Sequence, residues 1–167
     1  MSELRNTTLP ISIRKRSGCR RESGVAAVEL AFLLVLLLLM AAGTFEFGRG
    51  FWYYNALAKA TRDGARAMSM APKATISSVA VGAAQPLVVN AANGANVDPV
   101  LVAGNVDVTC DGSACVDGTA PTNVRVAITG YSIDIGGIFP FFDPATYGVS
   151  SIAGVNLAPH TTMRYMN

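Results

Sequence analysis

Residues 25–45 read VAAVELAFLLVLLLLMAAGTF, and Glu29 is the only charge among them. At about 1.5 Å per residue the run makes a helix roughly 30 Å long, the thickness of a bilayer core. A carboxylate in such a span costs about 2.5–3.5 kcal/mol at the helix centre on insertion scales, and less near an end. Glu29 is therefore a candidate functional residue, and its partner must be sought. Directly ahead of the run stand Ser23-Gly24, preceded by Arg14, Lys15, Arg16, Arg20 and Arg21.

The 167 residues are 51% hydrophobic and 14% charged. Mean hydropathy is +0.38, which suits one span plus one small domain. The net charge is only +2, but residues 1–24 hold six Lys/Arg, with Arg5 the sixth, against Glu3 and Glu22. Positive flanks stay on the cytoplasmic side. The expected topology is N-terminus in and C-terminus out, with the lipid bilayer as partner. Beside such a run the basic cluster reads as a topology signal, not as a nucleic-acid site. An ordinary secretory signal has a shorter apolar core, about 7–15 residues. Ala41-Ala42-Gly43-Thr44 could imitate a cleavage site, but the helical pattern continues beyond it.

That continuation is carried by Phe47, Phe51, Tyr54, Ala58, Thr61, Ala65 and Met68, spaced by fours and threes along one helix face. The stripe can pack on its own domain or meet neighbouring copies. Lys59, Arg62 and Arg66 lie away from it, and Lys59–Asp63 and Asp63–Arg66 have ion-pair spacing. Gly43, Gly48, Gly50 and Gly64 each weaken an isolated helix by up to about 1 kcal/mol and permit bending or close approach. Pro72 ends the pattern. The helix from Val25 to about Met70 would be roughly 70 Å long.

Three patches, taken in order, resemble a known family. The basic leader, Gly24 and Val25-Ala26-Ala27-Val28-Glu29 look like a class of type IV prepilin leader. Phe45-Glu46-Phe47-Gly48-Arg49 and Ala60-Thr61-Arg62-Asp63-Gly64-Ala65-Arg66 are similar to the EFGR and A-x-R-[DE]-G-A-R patterns of TadE-like pseudopilins of the tight-adherence (Flp pilus) system. One departure is Leu30, where many relatives carry an aromatic residue. The resemblance implies cleavage after Gly24 by a prepilin peptidase, which leaves Glu29 fifth in the mature chain. It further implies other pilin and pseudopilin subunits, an inner-membrane assembly platform and a cytoplasmic ATPase as partners. The location implied is the bacterial inner membrane, with the C-terminal domain periplasmic and open to incorporation into a pilus.

The leader also has a physical logic. Cleavage would free a positive amine on Val25, one helical turn from Glu29. In an assembly the carboxylate of one subunit can meet the amine of its neighbour. Two charges about 4 Å apart attract by about 4 kcal/mol at an effective dielectric near 20, before desolvation. An unmatched charge in an apolar core is strongly unfavourable, so such a pair sets stagger more than net stability.

Beyond Pro72, Ile76, Val79, Ala80, Ala83, Ala84 and Leu87 have helical spacing, limited by Gly82 and Pro86. Asn90 to Gly104 reads as a loop. Alternation predicts strands at Val106–Cys110, Val124–Thr129 and Tyr131–Ile135, and a last one within Thr161–Met166. Phe139, Phe141, Phe142 and Tyr147 form an aromatic patch. The expected fold is α+β: a long transmembrane and amphipathic helix packed by a small, mainly antiparallel sheet of three or four strands, a pilin-like plan. Its parts are a leader (1–24), a transmembrane helix (25–46), an amphipathic continuation (47–71) and an exported domain (72–167).

Cys110 and Cys115 flank a turn-rich insert and, in an exported domain, are most simply a local disulfide. Cys19 lies in the basic segment. His160 is the sole histidine, and Asp134 and Asp143 are scattered, so neither a metal site nor a catalytic constellation is expected, and no cofactor. The reading is a minor pilin or pseudopilin that initiates, tips or primes assembly for adhesion. The alternative is an uncleaved single-pass membrane protein with a periplasmic binding domain.

Overall fold

The computed structural model describes residues 22–143 and 148–167. Most of the basic leader, with Cys19, lies outside the described residues, as does Tyr147. The chain divides into two units between Leu39 and Met40. The first is helical where described, and its side chains from Gly24 to Leu39 are exposed in the isolated chain. The second contains all the strands.

Helix α1 runs Glu22–Ser69. An 18-residue window within it has a mean hydropathy of 2.7 and no buried residue, so it is long and apolar enough to cross a membrane. The segment Lys73–Asn93 meets the same length and composition test. It behaves differently, because Ile76, Ala84, Val88 and Ala92 are buried in the core of the second unit.

From residue 46 onward α1 turns one face to that core. Glu46, Tyr53, Leu57, Ala60, Thr61, Ala65 and Met68 are buried. The sequence-derived stripe agrees at Thr61, Ala65 and Met68. Its first part does not: Phe47, Phe51 and Tyr54 are exposed, and Tyr53 and Leu57 point inward in their place. The reason is local composition, since aromatic residues occur on both faces of this stretch and periodicity alone cannot rank them. The pairs Lys59–Asp63 and Asp63–Arg66 are not formed. Among the described residues the one ion pair is Glu46–Arg49.

After Pro72 a 3-10 turn (Lys73–Thr75) and a π-helical stretch (Ile76–Val81) lead into helix α2, Gly82–Asn93. Pro86 sits inside α2. The expected loop from Asn90 therefore begins later. Asn93 closes the helix by a two-way amide bond, donating to the Leu101 carbonyl at 3.0 Å and accepting the Leu101 N–H at 2.9 Å.

The main sheet has the order β1–β2–β7, with β1 Val106–Cys110, β2 Asn123–Ile128 and β7 His160–Arg164, all antiparallel. Val106 pairs with Ile128, Val108 with Val126 and Cys110 with Val124. These alternate residues are all buried, as one face of a sheet packed on a core requires, and Ala127 between Val126 and Ile128 is buried as well. Thr61 Oγ1 on α1 and Thr161 Oγ1 on β7 share a 3.0 Å hydrogen bond across the helix–sheet interface. A second pair joins β3 (Ser132–Ile135) to β6 (Ile152–Asn156), and a third joins β4 (Phe141–Asp143) to β5 (Gly148–Ser150). The sheet content is thus larger than expected and divided in three. The C-terminal residues lace back to the end of α1: the Tyr165 hydroxyl donates to the Ala71 carbonyl at 2.7 Å and the Met166 N–H to the Ser69 carbonyl at 2.9 Å.

Candidate functional site

At the head of α1, Val25 and Glu29 are one turn apart on the same face. With Gly24, Val28, Phe32 and Leu33 they line a shallow depression. A Cβ added at Gly24 would meet nothing within 4 Å, so among the described residues no packing contact asks for a glycine there.

The first motif patch forms a latch. Glu46, 1% exposed, accepts the N–H of Ile138 at 2.9 Å and of Phe139 at 2.8 Å. Arg49 Nη2 donates to Glu46 Oε2 at 2.9 Å and to the Asp134 carbonyl at 2.8 Å, and its guanidinium stands 5.8 Å from the Tyr53 ring centre. Burial by itself pushes the Glu46 carboxyl up. The Phe139 N–H, the Arg49 guanidinium and the Gly136 and Ile138 N–H groups outweigh it and hold the carboxyl down at about 2. Glu46 therefore stays charged and clamps the end of β3 and the loop after it to α1. It lies just past the apolar run, within the unit that begins at Met40. Phe47 and Gly48, between the two latch residues, face outward. No local signal in the sequence could reveal the partners, which lie 92 and 93 residues away.

The second patch divides by face. Ala60, Thr61, Gly64 and Ala65 are buried, and Arg62, Asp63 and Arg66 are exposed. A Cβ on Gly64 would stand 2.5 Å from Val88 Cγ2 and 3.4 Å from Val126 Cγ1. Both valines are fully buried and β-branched, so neither can swing aside cheaply. Gly64 thus lets α1 lie close against α2 and β2 at once.

Cys110 and Cys115 are joined by a disulfide, with Cα atoms 4.9 Å apart. It closes the turn after β1, where Asp111 accepts the N–H groups of Thr122 and Asn123. Among the described residues no group of three or more His, Cys, Asp or Glu side chains could hold a metal ion. His160 is on β7 opposite Ala127, and Asp134 accepts the Gly154 N–H at a strand edge. Neither meets a nucleophile.

Comparison with curated proteins and with solved structures gives no match. Residues 24–66, from the glycine at the head of α1 to the last arginine of the second patch, match the family model described as TadE-like protein, the family that the motif patches resemble.

Proposed function

We propose that the chain is a minor pilin or pseudopilin of a tight-adherence (Flp) type IV pilus. It is made as a single-pass inner-membrane precursor with the N-terminus cytoplasmic and the C-terminal domain periplasmic. A prepilin peptidase cuts after Gly24. The mature subunit then joins other pilin-like subunits through the inner-membrane platform and helps to initiate, tip or prime a pilus used in surface adhesion. Its role is structural, not catalytic.

The family match carries this reading, because it starts at Gly24 and ends at Arg66. The structure supports it in two ways. Among the described residues nothing packs against Gly24, which is compatible with its being read by another molecule. The two motif patches further along serve the fold, fastening α1 to the domain it carries. Glu29 is left over from that accounting. Among the described residues it has no hydrogen-bond or ion-pair partner, and the amine freed on a neighbour's Val25 is a partner of matching charge.

Intact mass of the protein purified from its native membranes tests the processing step. A chain beginning at Val25 is expected. Residues 1–24 retained in cells with an active prepilin peptidase would refute the proposal in favour of an uncleaved membrane protein.

A further inference from the structure

The end of the apolar run is tied to a loop far away in sequence. Phe45, its last residue, meets Phe139 edge to face with ring centres 5.8 Å apart. Glu46, the next residue, accepts the N–H groups of Ile138 and Phe139. Arg49, one turn on, holds the Asp134 carbonyl at the base of the same loop. The loop between β3 and β4 thus sits at the level of Phe45 and cannot swing away without breaking a buried charged cluster.

The loop presents apolar side chains outward. Ile138 is 54% and Phe139 46% exposed, beside Phe45 at 55%. Folding has buried a carboxylate here and left aliphatic and aromatic groups uncovered, the reverse of an ordinary water-facing surface. Resting on the reading of Val25–Phe45 as a membrane span, we infer that this loop is a second membrane contact. Ile138 and Phe139 enter the leaflet from which Phe45 emerges and seat the domain on the bilayer. Lipid is the occupant because the patch is continuous with the lipid-facing end of the span, and aromatic groups favour that boundary. The Glu46–Arg49 latch then has a purpose beyond stability, since it holds Ile138 and Phe139 at the level of Phe45.

The chain has a single tryptophan, so fluorescence quenching can be read one site at a time. In the full chain with Trp52→Phe, one tryptophan is placed at Leu36→Trp, Ile138→Trp or Val116→Trp. The protein is reconstituted into vesicles of phosphatidylglycerol and phosphatidylcholine, the latter an equal mixture brominated near the glycerol end and near the middle of its acyl chains, so that both the boundary and the core of the bilayer quench. Val116 is the water-facing control: it is exposed, and its loop bonds through Gly118 to Lys73 beyond the far end of α1. Tryptophan at 36 and at 138 should each lose about half its emission, and at 116 almost none, given an insertion depth of about 5–10 Å for interfacial groups. Phe139→Trp should repeat the result at 138. Quenching at 36 without quenching at 138 or 139 overturns the inference and leaves the span intact. A blue-shifted but unquenched tryptophan at 138 identifies a second copy over the loop and also overturns it. Absence of quenching at 36 overturns the span, and the loop contact with it.

Discussion

Glu46 keeps its charge where burial alone would neutralise it. Its carboxyl titrates at about 2 in the folded chain against 4.5 for an ordinary glutamate. Because the folded value is the lower one, the stability it contributes is complete above pH 4.5 and is lost as pH falls toward 2. Glu46→Gln should destabilise the detergent-solubilised protein by about 1–3 kcal/mol at neutral pH, since it leaves Arg49 without its anion. It should also flatten the acid limb of the stability profile, measured as melting temperature by circular dichroism across that pH range. An unchanged acid limb in the variant would assign the titration to another group. Glu46 was marked in the sequence as part of a motif, but its role was not legible there. Its partners are backbone groups, which carry no residue-type signal, and they lie about 90 residues away.

At the scale of the element, α1 is held by what its glycines allow. Gly64→Ala should cost about 1–3 kcal/mol by overpacking Val88 and Val126, even though alanine is the better helix former. Gly48→Ala is the internal control: nothing lies within 4 Å of a Cβ there, so a gain of up to about 1 kcal/mol is expected. Chemical denaturation of both variants checks the pair, and equal effects would show that Gly64 is not a packing residue. The strands β1, β2 and β3 were readable because each alternates apolar and polar residues against one core face. β6 was not, since Gly154 sits in it with a φ of 69° and four of its five residues are exposed. The helical end at Asn90–Asn93 was hidden because Asn and Gly signal loops, whereas here the Asn93 side chain bonds Leu101 and finishes the helix. The aromatic residues of α1 misled the choice of face: Tyr53 is inside, and Phe51 two positions before it and Tyr54 one position after it are exposed.

For the whole molecule, two kinds of residue divide the labour. Glu46, Arg49 and Gly64 are answered within the chain and build the domain around α1. Gly24, Val25 and Glu29 find no such answer among the described residues, and on the proposed function they are answered by a peptidase and by neighbouring subunits. The sequence located both sets. Only the structure separates them, because Gly24, Glu29, Glu46, Arg49 and Gly64 all stand in the sequence as polar or glycine residues along one helix. The central claim is that the Glu29 carboxylate is matched by the amine of a neighbouring mature subunit. The most direct test is the amount of Glu29→Gln protein recovered in the sheared pilus fraction, relative to wild type, in cells of the native host. The account predicts a fall of about tenfold or more, from the loss of one buried charge pairing. Recovery at the wild-type level, with maturation and surface attachment unaltered, would contradict it.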